Sequence, residues 1–335
     1  MSPGPIVRAQ HLGKTFSGRR GGPDVRAVDD VSLEVAPGET LGIVGESGCG
    51  KSTLARLLLR LLDPTVGQVH FDGTDVTALD RRALRPIRRR IGAIFQDPYA
   101  SLNSRDSVER ILREPFEVHG ITPPEGIRDR SAELLRQVGL DPAVLSRRPG
   151  QMSGGQLQRV AIARALTTDP ALIVADEPTS ALDVSVQAQI LNLLAEVRER
   201  TGVAMLFISH NVNVIRHVSD RIAVMYLGRV VELGPARQVT DDPLHPYTQA
   251  LLRAVPHVDP ARRTRPGSTP GGEPPDPSQI PPGCPFHPRC PAATDACRDA
   301  VPEWREVQPA RRVACHHAPA ATRAADTTMR AGGAM

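Results

Sequence analysis

Four short apolar runs punctuate the chain up to about residue 255: ETLGIVG at 39–45, ALIVAD at 171–176, VAMLFIS at 203–209 and RIAVMY at 221–226. Their length suits buried strands, and between them lie amphipathic stretches such as STLARLLLRLL (52–62) with helical spacing. Strands alternating with helices predict an α/β layered fold. GQVHFDGTDV (67–76) alternates around the Asp72-Gly73 turn and predicts an antiparallel hairpin beside the main sheet. Between about 99 and 165 the strand signals stop and helical patterns take over, which predicts a helical subdomain.

The pattern changes again near the C-terminus. Residues 259–283, DPARRTRPGSTPGGEPPDPSQIPPG, are crowded with proline and glycine and hold almost no large apolar side chain, as in an extended linker. The expected organisation is a domain over 1–255, a linker over 256–283, a cysteine-containing unit over 284–318 and a tail over 319–335 with too little to bury to be ordered. No repeat is evident.

Composition narrows the class. With 335 residues, 40% apolar and 23% charged, the chain can bury one sizeable core and a smaller appended unit. The net charge is only +4, and just two of the 41 basic residues, Lys14 and Lys51, are lysine. The arginine-rich RRALRPIRRR (81–90) lacks interleaved aromatics, so it reads as a solvated helical face and no nucleic-acid partner is expected. No apolar run approaches the roughly 20 residues of a membrane span, and MSPGPIVRAQ lacks the core of a signal peptide. A cytoplasmic location is expected.

GESGCGKS, comprising Gly45, Glu46, Ser47, Gly48, Cys49, Gly50, Lys51 and Ser52, follows a strand and opens a helix that continues with Thr53. This is the phosphate-loop pattern: backbone N–H groups and the helix N-terminus surround phosphates, Lys51 reaches the outer ones, and Ser52 can ligate Mg2+. ALIVADEP ends a strand in Asp176, a candidate magnesium partner, and Glu177, a candidate general base. In MSGGQLQRVAIARAL, Ser153, Gly154, Gly155 and Gln156 open a helix whose free N–H groups form a second anion site. Cys49 reads as a small space-filler in its loop.

Together these residues resemble the ATPase subunit of an ABC transporter over roughly residues 6–235. The phosphate loop, SGGQ (153–156), LIVADEP (172–178), SALD (180–183) and ISHN (208–211) occur in that family's order. The resemblance implies a phosphate-loop ATPase domain with an antiparallel β subdomain and a helical subdomain, binding ATP and Mg2+. It implies that Phe16 stacks on adenine, the alternative being a core phenylalanine. It makes Gln96 a magnesium or water contact that relays the nucleotide state, Asp183 an acid reporting across a dimer, and His210 a γ-phosphate switch. Met152 and Asn211 depart from the usual leucine and aspartate without removing a catalytic atom. One copy of each motif implies a second ATPase chain, in a heterodimer with a paralogue, because each ATP in this family lies between one phosphate loop and the other chain's SGGQ.

FQDPYASLNSR (95–105), DPLHPYTQALLRAVP (242–256) and the cysteine tail resemble the peptide-importer branch, with Ser104 where proline is usual. MYLGRVVELG and SALDVSVQAQ look more like the second of its paired ATPase subunits. The implied partners are two membrane permease subunits and a substrate-binding protein at the cytoplasmic face of the membrane. The implied cargo is oligopeptides or dipeptides; nickel and oligosaccharides are alternatives within the branch. HPYT by itself reads as part of a docking helix. Long coiled-coil insertions or a second cassette, the marks of soluble ABC ATPases of DNA repair or translation, are not seen.

Cys284, Cys290, Cys297 and Cys315 have gaps of five, six and seventeen residues. These thiols match the ligand count of an iron–sulfur cluster, zinc takes the same number, and His287, His316 and His317 allow mixed ligation. The resemblance to peptide-importer tails implies a [4Fe-4S] cluster with a structural role.

Overall fold

The computed structural model of the chain describes residues 4–18, 22–254 and 273–319. The linker expected over 256–283 therefore lies outside the described residues up to 272, as does the tail beyond 319. Strands β1 (Val7–Phe16) and β2 (Val25–Val35) pair antiparallel, and β3 (Thr40–Val44) leads through the phosphate loop into α1 (Lys51–Leu58). The amphipathic stretch 52–62 is helical only to Leu58, because Arg60 adopts a left-handed backbone, φ 50°, and turns its guanidinium onto the carbonyls of Val76, Thr77 and Leu62.

Next come β4 (Val66–Phe71) and β5 (Thr74–Asp75), the antiparallel hairpin expected around Asp72-Gly73. With β1 and β2 they form a four-stranded sheet, order β2-β1-β4-β5. After α2 (Leu84–Arg89) and β6 (Ile91–Ile94) the chain is helical: α3 (Pro98–Ser101), α4 (Val108–His119), α5 (Ile127–Gln137) and α6 (Gly154–Leu166). Ser107 caps α4 by accepting from the Arg110 N–H, and Gly120 ends it at φ 65°, a backbone conformation glycine adopts without strain.

The main sheet is completed by β7 (Leu172–Asp176), α7 (Val184–Thr201), β8 (Ala204–Ser209), α8 (Val212–Val218), β9 (Arg221–Tyr226) and β10 (Arg229–Pro235). There follow α9 (Ala236–Asp241), α10 (Pro246–Arg253), α11 (Asp295–Asp299), β11 (Arg305–Gln308) and β12 (Arg311–Val313). The eight strands run in the order β11-β12-β10-β9-β3-β8-β7-β6, parallel from β9 to β6 and antiparallel at the β10–β12–β11 edge. The cysteine-rich unit thus adds its strands to the edge of the main sheet.

Every residue of β3, β7 and β8 is buried. Leu172, Val174, Leu206 and Ile208 face the core shared with the four-stranded sheet, while Ile173, Ala175, Met205 and Phe207 face the core of the helical side. The strand period of two sends alternate residues to opposite faces, so an unbroken apolar run is what a strand covered on both faces requires.

Candidate functional site

The phosphate loop leaves β3, Asp176 closes β7, and His210 follows β8. All three therefore sit at the carboxyl ends of neighbouring parallel strands, where open α/β sheets hold their ligands. A cavity of about 510 Å³ opens there, lined by the loop residues from Ser47 to Thr53 other than Cys49 and by Ala27, Gln96, Glu177 and His210.

The loop is built by glycine and by burial. Gly50 has φ 104°, and a Cβ there would run into the Ala27 carbonyl, so only glycine fits. Lys51 is buried, and its Nζ donates to the carbonyls of Gly45 and Glu46 at 2.8 and 2.9 Å. Cys49 is also buried, and burial pushes its thiol above the usual range, the opposite of an activated thiolate. It fills space beneath the loop.

Ser52 Oγ donates to Asp176 Oδ1 at 3.0 Å. Burial raises the Asp176 carboxyl above its usual range, with the Ser52 hydrogen bond acting in the other direction. A buried carboxylate beside a hydroxyl at the rim of a phosphate cradle suits Mg2+, a hard cation that takes oxygen ligands. Glu177 Oε2 lies 3.2 Å from His210 Nδ1 and 3.3 Å from Gln96 Nε2. Glu177 itself has φ 48°, a sparsely populated conformation for a side chain of this size, and its N–H donates to the Ile208 carbonyl. This backbone bend separates the two acids: Asp176 faces Ser52, and Glu177 faces Gln96 and His210.

The remaining candidates lie elsewhere. Phe16 is 40% exposed at the end of β1 with Lys14 Nζ 5.4 Å from its ring, a surface position and not a core one. Ser153 caps α6, its Oγ accepting from the Gln156 N–H while Gln156 Oε1 accepts from the Ser153 N–H. Asp183 caps α7, and its hydrogen bond from Ser185 holds its carboxyl below the usual range. None of Phe16, Ser153–Gln156 or Asp183 lines the cavity.

Residues that the sequence did not single out touch the loop from the far end of the chain. Tyr247, in α10, accepts the Glu46 N–H at 2.9 Å, and Arg289 donates two N–H bonds to the Glu46 carboxylate, both at 2.9 Å. HPYT was a visible motif, but its target was not, and Arg289 stands 243 positions from Glu46.

The four tail cysteines are free thiols; Cys284, Cys297 and Cys315 are buried and Cys290 is half-buried. The Cys284 N–H donates to the Cys297 carbonyl, and Cys297 Sγ lies 3.5 Å from His317 Nε2. His287 and His316 each have a ring nitrogen against a backbone carbonyl, of Cys284 and Ala300. Burial, with smaller contributions from the charges of Cys297, Cys315 and Cys290 and against a backbone hydrogen bond at Phe286, pushes the Cys284 thiol up to about 11. Among the described residues, no group of three or more His, Cys, Asp or Glu is arranged to hold a metal ion.

Comparison with known proteins gives a consistent picture. A family profile described as ABC transporter matches residues 28–180, and one described as the C-terminal region of oligopeptide/dipeptide transporters matches residues 231–297. The chain is 54% identical over 300 residues to a probable peptide ABC transporter ATP-binding protein of Sinorhizobium fredii, covering 89% of this chain and 85% of that one. It is 50% identical over 300 residues to the oligopeptide transport ATP-binding protein AppF of Bacillus subtilis, covering 88% of this chain and 90% of AppF. Among solved structures, it is similar to the ATP-binding cassette MJ0796, a dimer in a post-hydrolysis state bound to ADP and Pi. That match has 34% identity and a TM-score of 0.63, covering 69% of this chain and 99% of the cassette.

Proposed function

The chain belongs to the ATP-binding proteins of ABC transporters and is an ATPase, and from that premise we propose that it powers an importer of oligopeptides or dipeptides. The observation that carries the catalytic part is the single cavity in which the phosphate loop meets Gln96, Glu177 and His210. The cargo rests on the peptide-transport relatives and on the match of residues 231–297 to the C-terminal region of oligopeptide/dipeptide transporters.

In this reading the N–H groups of the loop from Gly48 to Thr53 and the Lys51 ammonium hold the ATP phosphates, and Phe16 stacks on the adenine. Ser52, Gln96 and Asp176 would hold Mg2+, which when bound supplies positive charge against the negative charge of the phosphates. Glu177 takes the proton of the attacking water, and Gln96 and His210 keep its carboxylate aimed at the γ-phosphate. Ser153–Gln156 and Asp183 lie outside this chain's cavity and act on the nucleotide of a second ATPase chain. The two ATPases, one a paralogue of the other, work at the cytoplasmic face with two permease subunits and a binding protein. Among the described residues no helix is long and apolar enough to cross a membrane.

For the cysteine unit the proposal is a [4Fe-4S] cluster, which rests on the resemblance to peptide-importer tails and on the ligand count of Cys284, Cys290, Cys297 and Cys315. The thiols are free, and among the described residues no group of three or more His, Cys, Asp or Glu is arranged to hold a metal ion, which favours neither a cluster nor zinc. The cluster would crosslink a proline-rich segment with little core of its own. Anaerobic purification with iron, sulfide and zinc analysis tests it: about four irons per chain support the cluster, and zinc or no metal removes it.

The import reading is tested in cells. Deleting the coding sequence should abolish uptake of a labelled dipeptide or tetrapeptide; the wild-type chain should restore it and Glu177→Gln should not. Unchanged peptide uptake in the deletion strain overturns the cargo.

A further inference from the structure

Glu46 is the second residue of the phosphate loop, and each of its polar groups is held. Its N–H donates to the Tyr247 hydroxyl at 2.9 Å, and its carbonyl accepts from Lys51 Nζ at 2.9 Å. Its two carboxylate oxygens accept from the two terminal nitrogens of Arg289, both at 2.9 Å, the parallel fork that gives an arginine–carboxylate pair its geometric specificity. Two of these three holds come from beyond the ATPase motifs.

The holders are themselves fixed. The Arg289 side chain is 7% exposed, and its guanidinium lies 5.9 Å from the ring centroids of both Tyr226 and Phe286. Tyr226, Tyr247 and Phe286 form one aromatic nest, with centroids 4.5 to 5.4 Å apart. Arg289 ends a short 3-10 turn between Cys284 and Cys290, so the cysteine unit sets where the guanidinium sits.

We propose that Arg289 and Tyr247 are positioning residues for nucleotide binding, which clamp Glu46 from the C-terminal unit and so pre-form the phosphate loop. The proposal rests on reading that loop as the ATP site. A loop with Gly48 and Gly50 at positive φ samples many shapes, and only some aim its N–H groups at a phosphate. Fastening its entry lowers the ordering cost of binding without touching the reacting atoms. The clamp therefore acts on nucleotide affinity more than on the chemical step.

The test is titration of the full-length chain with MgADP, a ligand that needs no turnover. Arg289→Gln and Glu46→Gln should each weaken binding about three- to tenfold, and the double variant should be no weaker than either single one. Arg289→Lys keeps the charge but loses the fork and should fall between. Tyr247→Phe should weaken binding in the same direction. Arg305→Ala is the control: Arg305 bonds to the Ala318 and Pro319 carbonyls where the cysteine unit ends, so its loss should lower the melting temperature and leave affinity unchanged.

If Arg289→Gln does not fold, Glu46→Gln, on the more exposed side of the pair, still decides. Unchanged affinity in both, or additive losses in the double variant, overturns the clamp and leaves a docking contact. Failure of the wild-type chain to bind MgADP overturns the nucleotide reading instead.

Discussion

Ser52 donates its hydroxyl to Asp176 across 3.0 Å, joining the start of α1 to the end of β7 over 124 positions of sequence. Ser52→Ala leaves a buried carboxylate short of a partner and should lower stability by about 1–3 kcal/mol in urea titrations. It should also weaken nucleotide binding more in the presence of Mg2+ than in excess EDTA. Equal losses in both conditions would exclude the hydroxyl as a magnesium contact.

Glu177→Gln keeps the shape of the side chain and removes its basicity. Hydrolysis should fall at least about a hundredfold while MgATP binding stays within a factor of about two, because the phosphate cradle is untouched. Single-turnover phosphate release and equilibrium binding separate the two effects; steady hydrolysis in the variant would rule out Glu177 as the base.

Ser153 caps α6 and lies outside the cavity of its own chain. Ser153→Ala should cost about 1 kcal/mol of stability from the lost cap. The isolated chain should bind MgADP as before, whereas ATP hydrolysis in the assembled pair of ATPases should drop. Weakened binding by the isolated chain would place Ser153 in its own site.

His245 is fully buried beside Phe286; its Nδ1 accepts the Tyr247 N–H, and burial lowers its pKa to about 3 against a weaker opposing contribution from the Ala314 carbonyl. Its folded pKa lies below the unfolded value near 6.5, so at intermediate pH the unfolded chain binds more protons and stability rises with pH. This contribution is complete above about pH 6.5 and is lost as pH falls towards 3; by pH 5 about 2 kcal/mol should be gone. His245→Asn should be less stable at pH 7 but should lose stability less steeply between pH 7 and 5. Parallel slopes for the two proteins would assign the acid sensitivity to other groups.

Local pattern was enough to locate what depends on local backbone. The buried strands, the loop opening α1, the Asp72-Gly73 hairpin and the capped start of α6 each follow from spacing, turn residues and capping within about ten positions. Where a side chain reached beyond its own segment, pattern fell short. The stretch 52–62 looks helical to its end, yet the Arg60 guanidinium leaves the helix for carbonyls near Val76. HPYT looks like a docking helix, yet Tyr247 turns inward to the phosphate loop.

The sequence by itself determined that this chain carries a phosphate loop, a strand-end pair of acids and a glycine-led helix, because those chemistries are written in short contiguous runs. Tertiary structure alone decided which of them share a cavity. The sheet order sets β3 beside β8 and β8 beside β7, which brings Lys51, Glu177 and His210 to one rim and leaves Ser153 away from it. It also decided that the cysteine unit joins the sheet through β12 and that Arg289 reaches Glu46. The reason is physical: a strand or a loop is specified by its own backbone hydrogen bonds, whereas a contact between distant segments depends on how whole layers pack and on how far one side chain extends.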